Sequence, residues 1–159
     1  MKICEKDKEL KGSLHFQILD KDGNVIRAEA VHNLIVSQGR NNLARLLGGQ
    51  TGMHVTQFGL GTGSTAAASA DTGLTDTLKF DLIETRIGTG LEAEDGSTFD
   101  DPKAIQFFFR VGLEEAVGMN IFEYGLFCAD ETLFSRIVRP SVMIKSNLEQ
   151  IRGFWQIQF

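Results

Sequence analysis

Two stretches of this chain alternate apolar and polar residues with a period of two, and that period decides the class of fold open to it. Ile105, Phe107, Phe109 and Val111 fall on one side of an extended segment. Ile151, Gly153, Trp155, Ile157 and Phe159 do the same in the last one. Successive side chains of a strand point to opposite faces, so such a pattern buries one face of a sheet. Further extended segments are expected at residues 55–60, 78–87, 121–128, 133–138 and 142–144, with Leu78, Phe80 and Leu82 alternating in the second. Seventeen glycines and only two prolines in 159 residues fit a chain of many turns. One helix is expected, over about 38–47. Ser37 stands where a cap belongs, Leu43, Leu46 and Leu47 fall at helical spacing, and Gly48-Gly49 stops the element. At about three turns it needs a sheet or a partner to cover its leucines. The expected fold is mainly β, an antiparallel β-sandwich with one short α-helix.

The first hairpin, within residues 12–32, has a definable register. A three-residue loop, Lys21-Asp22-Gly23, with Gly23 left-handed, pairs Asp20 with Asn24. Leu14, Phe16 and Ile18 then share a face with Ile26, Ala28 and Ala30. A two-residue Asp-Gly loop would instead put Arg27 and Glu29 on that face. A one-residue slip exchanges the faces of a strand, so the apolar pattern favours the three-residue loop and the unmixed face.

Length suits one domain, able to bury about two-thirds of its unfolded surface without disulfide or metal. Residues 1–11 are expected to be a flexible N-terminal segment and 12–159 a single β-sandwich domain. Nine of the twelve phenylalanines lie beyond residue 98, so the C-terminal half should supply most of the core. A net charge of −5 and the lack of a basic run argue against nucleic acid as a partner. No 18-residue apolar run exists for membrane insertion, and no basic start followed by an apolar stretch marks a signal peptide. Cys4 lies in the charged start and Cys128 at the end of an apolar strand, which fits reduced thiols made in a cytosol.

The motifs that invite chemistry have plainer readings. Gly61, Gly63 and Ala66 fit a loose GxGxxA, but no apolar helical stripe follows to place a helix N-terminus at a pyrophosphate. Residues 61–77 therefore read as a flexible loop of small residues. Asp20-Lys21-Asp22-Gly23-Asn24 opens like a calcium loop, yet Val25 and Val31 stand where Gly and Glu belong. The acidic loop 88–102 (Glu92, Glu94, Asp95, Asp100, Asp101) has no ligand spacing, and His15, His32 and His54 lie on separate elements. Glu114, Glu115 and Glu123 could pair for acid–base work, but nothing in the pattern singles them out. No catalytic, metal or cofactor-binding residue is expected, and the chain is not expected to be an enzyme.

Exposed aromatics give a better lead. Opposite Phe107 and Phe109 lie Gln106, Phe108 and Arg110; opposite Trp155 and Ile157 lie Arg152, Phe154 and Gln156. A ring between polar neighbours on one face is what a partner contact looks like. Phe108, Arg110, Phe154 and Arg152 are therefore candidate contact residues, with a second buried layer as the alternative.

Several segments in order resemble a family of small bacteriophage virion proteins associated with tail fibres or the baseplate. Asn33-Leu34-Ile35-Val36, Gln38-Gly39 and Asn42 to Gly49 resemble its strand and short helix. Phe58-Gly59-Leu60-Gly61-Thr62-Gly63, with small residues to Asp71, resembles its Gly-Thr-Gly loop. Glu123-Tyr124-Gly125-Leu126-Phe127, Leu133-Phe134-Ser135-Arg136 and Trp155-Gln156-Ile157-Gln158-Phe159 resemble its later strands. Residues 54–57, His-Val-Thr-Gln, are less apolar than that pattern. The resemblance covers roughly residues 12–159. It implies a structural role in a tail, a place in the virion after assembly in the host cytoplasm, and partners that are further copies of the chain and other tail proteins. A receptor- or carbohydrate-binding module at the tail tip, contacting host surface glycan, is the alternative.

Overall fold

The computed structural model describes residues 10–159 and is a β-sandwich with one helix. One sheet runs in the order β2 (Val25–His32), β1 (Lys11–Asp20), β12 (Glu149–Gln158), β9 (Ala104–Val111), β6 (Glu84–Ile87). The other runs β3 (Leu34–Ile35), β11 (Leu133–Ile144), β10 (Asn120–Cys128), β4 (Val55–Gly61), β5 (Leu78–Asp81). All their ladders are antiparallel. A small hairpin, β7 (Leu91–Glu92) with β8 (Thr98–Phe99), lies outside both sheets. Of the expected flexible segment 1–11, residues 1–9, with Cys4, lie outside the described residues. Leu10 packs against the core, and Lys11 already pairs with Gln158.

The alternating residues do what their period requires. Leu14, Phe16, Phe109, Val111, Ile151, Trp155 and Ile157 of the first sheet meet Phe58, Leu60, Tyr124, Leu126 and Ile137 of the second in one buried cluster. Phe58 anchors it, stacked on Phe109 with centroids 3.7 Å apart and edge-on to Trp155 at 6.4 Å. Such ring pairs add about 0.5–1.5 kcal/mol each beyond the area they bury. Cys128 is fully buried there, and burial pushes its thiol pKa up. Phe159, expected on the same face as Trp155, is instead exposed beyond the end of β12.

Four local expectations are corrected. The Lys21-Asp22-Gly23 loop forms as expected, with Gly23 at φ +88° and the Asp20 N–H bonded to the Asn24 carbonyl at 2.9 Å. However, Leu19 pairs with Val25 and Ile18 with Arg27, so Ile26 is a bulge. The extra residue exchanges the faces of β2. Arg27, Glu29 and Val31 therefore stand beside Ile18, Phe16 and Leu14, because Glu29 meets Arg139 of the opposite sheet. The helix α1 (Ser37–Leu47) has no side-chain cap, and its buried residues are Gly39 and Asn42 rather than its leucines; Leu47 is 84% exposed. A Cβ on Gly39 would lie 2.1 Å from the Phe134 carbonyl oxygen, so helix and strand touch backbone to backbone. Asn42 then reaches Thr132 Oγ1 at 2.6 Å. The segment 78–87 is two strands in different sheets, since the chain crosses at Leu82-Ile83, and residues 133–144 form one strand, not two.

Candidate functional site

The outer face of the first sheet carries a groove of about 540 Å³. Ladder register lays its floor in rows. Ala30, His15, Phe154, Phe108 and Glu84 lie side by side across five strands; Ala28, Gln17, Arg152 and Arg110 form the next row. All four candidate contact residues thus come together on one face. The Phe108 and Phe154 rings are 5.6 Å apart and tilted by 48°. The guanidinium of Arg86 covers one face of Phe108 at 4.3 Å, and His15 stacks on Phe154 at 4.9 Å. Phe154 is only 5% exposed and belongs to a buried second layer, whereas Phe108 is half-buried in the groove. Arg152 and Arg110 stay exposed, donating to Gln17 (3.1 Å) and Gln150 (2.9 Å) respectively.

Phe154 is packed between His15 and Phe108, and beside it the acidic loop folds back as the β7–β8 hairpin onto Gln106. Gln106, fully buried, accepts from the Glu92 N–H at 2.7 Å and donates to its carbonyl at 2.8 Å, standing in for a strand partner. Leu91 is buried beneath. The carboxylates of this segment do not converge. Asp95 accepts from Ser97, Asp100 from the Gly90 N–H, and Asp101 from the Lys103 N–H and Gln158. Glu94 Oε1 lies 3.2 Å from His15 Nδ1, at an angle short of hydrogen-bond geometry. Burial holds the His15 pKa below its ordinary value; Glu94 opposes that shift and His32 adds to it.

On the opposite outer face lies a group that the sequence pattern does not single out. Glu123 is completely buried. One carboxylate oxygen accepts from the backbone N–H groups of Gly63 (2.9 Å) and Thr75 (2.6 Å); the other accepts from Arg136 Nε at 2.7 Å. Arg136 also donates to Asp71 (2.6 Å) and to the Thr65 carbonyl (3.0 Å). Burial of Asp71 raises its pKa, but the Ala68 N–H and Arg136 outweigh that and leave it lowered. The small-residue loop is therefore bonded to the sheet at both ends, not free, and Leu74 packs it onto Val36, Phe127 and Leu133. The signal for this was present. Gly59, Gly61 and Gly63 strip one face of the chain of side chains, and a Cβ at each would lie 2.5–2.6 Å from Phe127 or Glu123. The glycines admit a carboxylate from the next strand, not a phosphate.

The Asp20 carboxylate is likewise spent on its own turn, accepting from Asp22, Asn24 N–H and the Asn24 amide. Lys145, 2% exposed, donates to the carbonyls of Leu113 and Ser146. Among the described residues no helix is long and apolar enough to cross a membrane. The groove has a half-buried ring and a rim of Gln17, Arg152, Glu84 and Glu94, chemistry for holding a polar ligand by hydrogen bonds and one apolar face. Comparison with family models, curated proteins and solved structures finds no match to this chain.

Proposed function

We propose that this chain is a structural component of a bacteriophage tail, working through contacts with its own copies and with neighbouring virion proteins. The ordered motifs from Asn33 to Phe159 are the basis for the phage assignment. One surface observation supports the assembly role. Ile26, Val142 and Ile144 line a second groove, of about 340 Å³, between β2 and the end of β11. With Val25, next to Ile26 in the chain, they are 43–59% exposed. Aliphatic side chains gathered in this way mark surfaces that a partner covers. Repeated weak contacts in a symmetric particle add through effective concentration, so no single interface need be tight. The test is immunolabelling of purified particles with antibody against the chain. Label on the tail is the expected result; chain found only in the soluble fraction, with unlabelled particles, would overturn the reading.

A second reading is a glycan-binding module, and the Phe108 groove is the observation in its favour. A sugar ring would lie on the free part of Phe108, with Gln17, Arg152 and Glu84 taking its hydroxyls. Glycan-array binding that disappears in Phe108→Ala would support it; no binding to any host surface preparation would remove it.

A further inference from the structure

We propose that two copies of this chain pair β2 against β2, antiparallel, about a two-fold axis through Ala28. The inference rests on the self-association in the reading above and names its surface. Three of the four outer strands of the two large sheets are short: β3 has two residues, and β5 and β6 have four each. Among the described residues two long edges stay open: β2, with eight residues, and the stretch of β11 beyond its two-residue pairing with β3, which Pro140 guards. Proteins guard such edges with lysine, proline or brevity. Val25–His32 contains neither residue; its guards are the bulge at Ile26 and the inward-pointing Arg27 and Glu29, whose charges are paired within the chain.

The backbone parity of β2 is fixed. The Asn33 N–H bonds the Gly12 carbonyl at 3.1 Å, so by alternation Val31, Glu29 and Arg27 exchange bonds with β1. The N–H and C=O groups of Ala28, Ala30 and His32 then point to the open side. None of them bonds to another described residue. The side chains match their own reversed copy. About Ala28, Arg27 faces Glu29 of the other copy and Ala28 faces itself, and the regular ladder ends at the Ile26 bulge of each copy. Glu29 already bridges Arg27 and Arg139 of its own chain; this register brings the other copy's Arg27 beside it and sets no like charges directly opposite. The neighbouring register, about Glu29, sets the two Glu29 side chains directly opposite each other, which repels. Charge therefore selects the axis.

The position of Ala28 on the axis gives a test that a merely structural residue would not pass. Ala28 is exposed and points away from the core, so Ala28→Lys and Ala28→Glu leave the sandwich intact. Light scattering across concentration should show a wild-type dimer. Each variant alone places like charges opposite each other and should weaken the dimer by about fivefold or more. An equimolar mixture of the two should restore it, as a one-to-one heterodimer. Wild-type dimers that persist in both variants would place self-association on another surface, overturning this inference and leaving the assembly reading standing. Weakened variants that fail to rescue each other would overturn the axis at Ala28. A wild-type chain that stays monomeric at every concentration would overturn the inference outright, while particle labelling decides the virion role separately.

Discussion

Replacing Glu123 by alanine tests whether the buried Glu123–Arg136–Asp71 cluster holds the loop of residues 61–77. The substitution strands two backbone N–H groups, of Gly63 and Thr75, and takes one of two carboxylates from a guanidinium that is 5% exposed. Removing one partner of a buried ion pair costs about 3–5 kcal/mol, and an orphaned buried N–H about 1–3 kcal/mol. These overlap, because the stranded groups share one cavity, and Arg136 keeps Asp71 and the Thr65 carbonyl. We therefore expect a loss of about 4 kcal/mol. With a urea m-value of about 2 kcal/mol/M, the midpoint should fall by about 2 M. Amide exchange at Gly63 and Thr75 should rise by more than exchange in β12, since the loop loses its tether before the sandwich opens. Glu123→Gln should recover only part of the loss, because its amide nitrogen must face either the two N–H donors or Arg136. A midpoint shift below about 0.5 M, with those two amides still protected, would refute the account.

Other perturbations are as specific. Gly153→Ala puts a Cβ 2.1 Å from the His15 carbonyl oxygen and 2.7 Å from Phe16 Cα. Backbone cannot give way as a side-chain tip can, so a loss of about 3 kcal/mol or more is expected in the same urea assay. Tyr124 is the one tyrosine, so its ultraviolet titration is clean; burial, against the pull of Arg139, should place its ionisation at about 12, and a transition near 10 would show the ring to be solvated. His15 is held neutral by burial, with a folded pKa below its unfolded 6.5. Its contribution to stability is then present above pH 6.5 and lost as pH falls through the folded value. Urea midpoints at pH 7.5 and 5.5 should differ by less in His15→Gln than in wild type, and an unchanged difference would exclude His15 as the source. Deleting Ile26 removes only the bulge residue and keeps Ile18 opposite Arg27 and Phe16 opposite Glu29, so it should cost under about 2 kcal/mol; a fall in the urea midpoint of more than about 1 M would refute the bulge.

The sequence showed most clearly what is local and periodic. The alternation in β9 and β12 and the Lys21-Asp22-Gly23 loop each depend on residues within a few positions of one another, and each formed. The helix was located correctly, but its buried face was not. Contact through Gly39 and Asn42 has no hydrophobic signature; of the three leucines, Leu43 and Leu46 are only partly buried and Leu47 is exposed. The split of residues 78–87 between two sheets was hidden because no Gly or Pro marks the crossing; only the break in alternation at Leu82-Ile83 does. Phe108, Arg110, Phe154 and Arg152 could be placed on one face because β9 and β12 alternate cleanly. That a hairpin would dock on this face depends on Gln106, whose amide imitates a strand, and no local pattern announces it. Glu123 was hidden for a similar reason: a carboxylate fully buried by partners 13 to 60 residues away looks the same in sequence as one in solvent.

The bulge at Ile26 shows which force set the first hairpin. Without it, Ile26, Ala28 and Ala30 would line the inner face, as apolar alternation favours. Burying the exposed parts of those three side chains is worth about 2–3 kcal/mol. The price is Glu29, which would turn outward and leave Arg139. That guanidinium is 8% exposed, and among the described residues its other hydrogen-bond partners besides Glu29 are the Tyr124 hydroxyl and the Ser141 carbonyl. Leaving a buried cation without its carboxylate costs about 3–5 kcal/mol, so electrostatics outweighs area at this strand. Glu29 bonds both terminal nitrogens of Arg139, at 2.5 and 3.1 Å, and thereby ties the outermost strand of one sheet to β11 of the other. The same choice leaves Ile26, Ala28 and Ala30 exposed along the open edge of β2. The residues that solvate Arg139 from within are thus also the reason that β2 presents an apolar, self-complementary border to a second copy.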